Sequence, residues 1–146
     1  MQRMSGIEEK ARKARDKKAA YGTDVDLESF KSESRGYEAL QSAEDLPTEV
    51  KKAALDVGVK LDDETAGAYV QMDQTAVVAS SMYEGVEMMD IASALKKYDF
   101  LQDYYWKLVA PDADKYTAEV AEAEPSGFFV RAKKGSKTVF PIKSCL

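Results

Sequence analysis

The chain has 146 residues, 45% of them apolar and 32% charged, which is the size and make-up of one globular domain able to bury a core. It contains no histidine, which removes the usual neutral-pH general base and the commonest metal ligand, and its single cysteine, Cys145, excludes an internal disulfide framework and fits a reducing cytosol. The formal charge of −5 is uneven: residues 1–20 carry seven Lys/Arg against three Asp/Glu, the rest fourteen against twenty-three, and so acidic a body repels nucleic-acid phosphates.

The N-terminus "MQRMSGIEEKARKARDKKAAYG" has no apolar core region and is no secretory signal, and no run of about 18 apolar residues exists to span a membrane. Residues 1–20 read as a basic helix or arm. From Ile7 to Ala20 the pairs Glu8/Arg12 and Glu9/Lys13 favour a helix, while the apolar content is too low for a wide core-facing stripe. The expectation is a solvated helix, with an arm for RNA or a partner as the functional alternative. Residues 21–45 form a polar connector with one helical turn around Leu27 to Phe30. Its "DVDLESF" lacks the glycine and the terminal glutamate spacing of a calcium loop.

From Leu46 the pattern tightens. Pro47 suits the first turn of a helix, Val50, Ala53, Ala54 and Val57 make an apolar stripe, and Gly58 is a natural terminator. Tyr69, Val70 and Met72 predict a strand, Asp73-Gln74 a turn and Thr75 to Ala79 a second strand, together a hairpin. Val86 and Met88 alternate as a short strand. Asp90 caps a helix with Ile91, Ala94, Leu95 and Tyr98 on one face, running on to Val109. After "APDAD" a further helix carries Tyr116 and Val120 at i,i+4. Asp112 and Asp114 before it read as caps rather than cation ligands, and Glu119, Glu122 and Glu124 as a solvated acidic face. The methionines Met72, Met82, Met88 and Met89 read as core filler.

Residues 127–146 read as a hairpin, Phe128 to Ala132 and Thr138 to Ile142 around "KKGSK". The chain stops on "IKSCL", mid-strand in character. An apolar Cys-Leu end leaves an open edge, so the expectation is a longer β-rich protein, with homo-oligomerisation through that edge a further one. Cys145 has no histidine to activate it and reads as a small buried hydrophobe.

The stretch "YDFLQDYYWKLV", Tyr98 to Val109, holds five aromatics in twelve residues. On a helical wheel Asp99, Gln102, Asp103 and Lys107 form one narrow polar stripe and the apolar side chains take the other faces, which predicts a helix buried on most sides. A nucleic-acid stacking platform needs basic neighbours, and the charges here are mostly acidic. Tyr98, Tyr104, Tyr105 and Trp106 are therefore the candidate partner-docking or domain-packing residues. No catalytic, cofactor-binding or metal-binding residues are expected in the chain.

"LPTEVKKAALDVGVKL", "EGVEMMDIASALKKYDFLQDYYWKLVAPDADKYTA" and "GFFVRAKKGSKTVFPIKSCL" in that order resemble the N-terminal region of the SufB/SufD family of iron–sulfur cluster assembly proteins, particularly its archaeal branch. The densest match is Glu84 to Leu146, and none of it is a catalytic motif. The resemblance implies a mainly helical N-terminal domain over 46–126, followed by a β-helix core into which residues 127–146 would lead. It also implies a SufC-like ABC ATPase partner, a SufB/SufD-like partner, and an iron–sulfur cluster held in the core and so outside this stretch. The overall expectation is an α+β fold, short helices packed on small antiparallel hairpins, acting as a non-enzymatic cytoplasmic scaffold component. The alternative is a self-contained acidic adaptor that binds a protein partner through Met and Tyr side chains. A small-molecule enzyme using Tyr and Asp residues would need a concave pocket with shifted pKa values.

Overall fold

The structure, a computed structural model, describes residues 2–31, 35–61 and 65–145. In chain order the elements are α1 (Gln2–Arg12), α2 (Thr48–Asp56), β1 (Gly67–Met72), β2 (Thr75–Ser81), β3 (Val86–Asp90), α3 (Ile91–Lys97), α4 (Lys115–Glu122), β4 (Phe128–Ala132) and β5 (Ile142–Cys145), with short 3-10 turns at Leu27–Ser29, Ala43–Asp45 and Asp99–Asp103. The class is the expected α+β. The chain divides into two compact units, one built from the described residues of 1–32 and Leu95–Pro125, the other from those of 33–94 and 126–146. Among the described residues no helix is long and apolar enough to cross a membrane.

In the second unit, α2 begins one residue after Pro47 and ends in a Schellman turn. The Gly58 amide donates to the Leu55 carbonyl at 2.9 Å and the Val59 amide to that of Ala54 at 2.8 Å, with Gly58 at φ +87°. Its buried stripe is narrower than expected, Ala54 with half-buried Val50, while Val57 faces solvent. The β1–β2 hairpin forms around Asp73-Gln74, Asp73 taking φ +54°. The register shifts by one between Val70 and Gln71, which leaves Val77 as an extra residue on β2. The Leu40 amide donates to the Val77 carbonyl at 2.7 Å and satisfies it.

The strands Phe128–Ala132 and Ile142–Cys145 both exist, but they do not form the C-terminal hairpin expected over 127–146. β4 pairs antiparallel with β3, and β5 runs parallel to β1, giving a three-stranded sheet of order β2-β1-β5. The physical reason lies in the "KKGSK" turn. It is tied back to Gly85, whose carbonyl accepts from the Lys133 amide at 2.8 Å and the Ser136 hydroxyl at 3.0 Å, so β4 is held on β3 and the chain continues to the open side of β1. Leu146 lies outside the described residues.

With neighbours on both sides, β1 is a central strand buried on both faces. Ala68 and Val70 join Leu46, Val77 and Val78 in the core, flanked by Tyr37, Leu40, Ala43, Val50, Leu61, Met72 and Cys145. The connector therefore does more than expected: Tyr37, Leu40 and Ala43 pack on this core. On the other face Tyr69 is fully buried, its ring 4.8 Å from that of Phe128. Its hydroxyl donates to Gln71 Oε1 at 2.6 Å and accepts from the Gly127 amide at 3.1 Å. Burying each such large side chain contributes about 1.5–3 kcal/mol. Of Met72, Met82, Met88 and Met89 only Met88 is deeply buried, and Met82 is largely exposed.

In the first unit, α1 carries the two expected pairs, Lys13 Nζ to Glu9 Oε1 at 2.7 Å and Arg12 to Glu8 at 4.0 Å. It is not merely solvated. Ala11 and Ala14 are buried against Ala118 and Ala121 of α4, with Ile7 and Trp106 beside them. Small side chains make a narrow face with a low hydrophobic signal, which is why the sequence pattern concealed it. α4 opens with a reciprocal cap: the Thr117 amide donates to Asp114 Oδ1 at 2.9 Å and the Asp114 amide to Thr117 Oγ1 at 3.0 Å. Glu122 is not part of a solvated face, since its carboxylate takes the Arg15 guanidinium.

Candidate docking surface

The helix expected from Asp90 to Val109 is the largest correction. α3 is set by Asp90, whose Oδ1 accepts from the Ser93 amide at 2.8 Å, but it ends at Lys97. Tyr98 is extended (φ −125°, ψ 101°), Asp99–Asp103 is a 3-10 turn, and Trp106 sits at φ +57°. Aromatic side chains lose rotamer freedom in a helix and aspartate is among the poorer helix formers, so this run has little intrinsic helicity to resist tertiary demands. Without the helix, the single polar stripe and the burial inferred from it do not exist.

What forms instead is a ledge. Lys97 Nζ lies 5.3 Å from the centre of the Tyr98 ring, Tyr98 and Phe100 are 5.6 Å apart, and Phe100 meets Tyr104 edge-on at 6.5 Å. Tyr98 is half-buried, but Phe100, Tyr104, Leu108 and Val109 face solvent, Tyr104 at 72% and Leu108 completely. Tyr105 and Trp106 form a second edge-on pair at 6.1 Å, both half-buried, and burial raises the Tyr105 hydroxyl above its ordinary pKa. The amides of Tyr104 and Tyr105 both donate to the Leu101 carbonyl, at 3.0 and 2.9 Å, and close the turn.

Trp106 takes the left-handed conformation at φ +57°. A bulky residue in that conformation is strained, and here it directs the indole to the α1–α4 alanines while Leu108 and Val109 lie in the solvent. Of the sequence candidates, the structure joins Tyr98 to Tyr104 through Phe100 and sets Tyr105 with Trp106 apart. Phe100, Leu108 and Val109, which the wheel assigns to buried faces, are exposed, and Phe100 is the middle ring of the ledge. Pro111, two residues after Val109, is compatible with a helix running to Val109 and so gives no sign of the earlier end. Among the described residues no three Cys, Asp or Glu side chains converge as a metal ion would require. Cys145 is half-buried, set beside Val70 in the β1–β5 register.

Fold and surface thus define an α+β protein with an exposed aromatic ledge. No protein-family model matches the chain. It is 45% identical over 143 residues to an iron–sulfur cluster assembly SufBD family protein of Methanothermobacter thermautotrophicus strain Delta H, a match covering 94% of this chain and 35% of that relative. A homologue in the strain Winter is 44% identical over the same shares. A SufBD family protein of Archaeoglobus fulgidus is 39% identical over 97 residues, 66% of this chain and 26% of the relative. The chain is thus similar to the N-terminal region of SufBD family iron–sulfur cluster assembly proteins, and it spans about a third of the length of these archaeal relatives.

Proposed function

We propose that this chain supplies architecture and a docking surface, without catalysis, to a cytoplasmic iron–sulfur cluster assembly scaffold. The observation that supports the reading most is the 45% identity to a SufBD relative over 94% of the chain, joined to an aromatic ledge and an exposed Leu108 among the described residues. The partners in this reading are a SufB/SufD-like subunit and a SufC-like ABC ATPase of the full-length assembly. The iron–sulfur cluster is cargo held by other parts of that assembly.

The test uses the full-length protein carrying Tyr104→Ala and Leu108→Lys. Both side chains are solvent-exposed, so thermal unfolding should match the parent. Co-purification with the SufB/SufD-like partner should weaken by about tenfold, the effect of losing an interface anchor. Undiminished retention would remove the ledge from the docking role. Separately, the 146-residue chain incubated with iron and sulfide should show no cluster absorbance, and a stoichiometric cluster on it would overturn the non-binding assignment.

A further inference from the structure

In the first unit the segment after α1 crosses α4 almost entirely on polar contacts. Arg15 donates through Nε at 2.6 Å, and through Nη2, to Glu122 Oε2. Lys17 Nζ donates to the Asp112 carbonyl, and the Ala20 amide to Asp114 Oδ2 at 3.1 Å. Lys115 Nζ holds Asp24 Oδ1 at 2.9 Å and the Val25 carbonyl, while the Val25 amide donates to the Tyr116 hydroxyl at 2.6 Å. Every one of these bonds runs from residues 15–25 to residues 112–122.

The apolar contribution beneath them is slight. Alanines bury little area, so Ala11 and Ala14 on Ala118 and Ala121, with only the half-buried Ile7 and Trp106 as larger side chains beside them, hold the segment weakly for its length. Each ion pair has one partner open to salt, Arg15 at 61% and Asp24 at 44% exposed, against a more buried one, Glu122 at 14% and Lys115 at 16%. The closed state also carries a cost, because Glu122 Oε1 is buried with no hydrogen-bond partner among the described residues. α4 in contrast is secured locally, since its cap between Asp114 and Thr117 uses no residue of the segment.

We infer that α1 and residues 13–26 form a detachable strap over α4, latched by Arg15–Glu122 and Lys115–Asp24 and released by ionic strength without unfolding of the rest. Opening uncovers Ala118, Ala121 and the indole of Trp106. Closing hides them. The latch is a device of the fold, independent of the docking role assigned to the ledge.

Trp106 is the only tryptophan, so the 146-residue chain reports on itself. Raising NaCl from about 10 mM to about 1 M shortens the Debye length from about 30 to about 3 Å. The Trp106 emission should then shift to the red, and the Ala20 and Val25 amides should exchange about fivefold faster, while the β1 and β2 amides keep their protection. Arg15→Gln should show both changes already at low salt, and Asp24→Asn provides a second variant. Salt-independent emission and exchange would overturn the latch. So would changes that occur only together with loss of protection in β1 and β2, which would make the strap part of one cooperative unit.

Discussion

Replacing Tyr69 by phenylalanine removes one oxygen from a fully buried side chain and tests how the two sides of β1 are held. The ring stays, and with it the stacking on Phe128 at 4.8 Å. What is lost is the acceptor for the Gly127 amide and the donor to Gln71 Oε1. Gln71 is half-buried and its oxygen can turn to water, whereas Gly127 keeps a donor directed at a hydrocarbon edge. A buried donor left without a partner costs about 1–3 kcal/mol, and relaxation around Gly127 should hold the value to about 1–2 kcal/mol. Urea unfolding with a slope of about 2 kcal/mol/M would then show a midpoint lower by about 0.5–1 M. Tyr69→Ala, which also deletes the ring, should cost about 3–5 kcal/mol. If Tyr69→Phe changes stability by less than about 0.5 kcal/mol, as a surface change does, the hydroxyl is not a clasp and the reasoning fails. A pH series provides a second check. Burial raises the folded-state pKa of Tyr69, so its contribution is complete below the ordinary tyrosine value and is lost as pH rises through the raised one. The alkaline loss should be smaller in Tyr69→Phe.

Gly58→Ala meets no atom within 4 Å but must adopt φ +87°, so it should lose about 1–2 kcal/mol from backbone strain alone, read as a lower urea midpoint with unchanged slope. Gly67→Ala places a Cβ 3.0 Å from the Ser80 carbonyl oxygen and 3.2 Å from Met88 Sδ, and should cost about 1–3 kcal/mol; a neutral result would mean that β1 can shift against β2. Acid should open the strap. The Lys115 ammonium and the Ala19 amide hold Asp24 below the ordinary carboxylate pKa, and the Thr117 and Ala20 amides do the same for Asp114. Their stabilisation is present above the unfolded value and is lost as pH falls through the lowered ones, so Trp106 emission should move to the red only at the acidic end of a titration.

What was legible in the residues is what neighbours along the chain decide. Pro47 and Gly58 bracket α2, Asp90 starts α3, Asp114 caps α4, and Asp73-Gln74 turns the β1–β2 hairpin. Each of these depends on a hydrogen bond or a backbone angle spanning only a few residues. The aromatic run deceives a helical wheel because the wheel assumes the helix it is meant to test. Tyr98 to Val109 has apolar side chains at almost every helical position, so the pattern could not report that the backbone leaves the helix at Lys97. The α1–α4 contact escaped notice for the opposite reason, since four alanines leave hardly any periodic signal.

Residue choice along the chain accounts for the α+β class, the turns and caps, the acidic body with its basic first twenty residues, and the likeness to SufBD proteins carried by three ordered stretches. Long-range contacts account for the rest: β5 lies parallel on β1, β4 belongs to β3, the N-terminal segment straps α4, and Tyr104 and Leu108 face the solvent. The division has one physical cause. Caps, turns and alternation are local free energies written in adjacent residues. Strand partners and buried faces follow from contacts such as Gly85 with Lys133 or Arg15 with Glu122, between residues far apart in the chain.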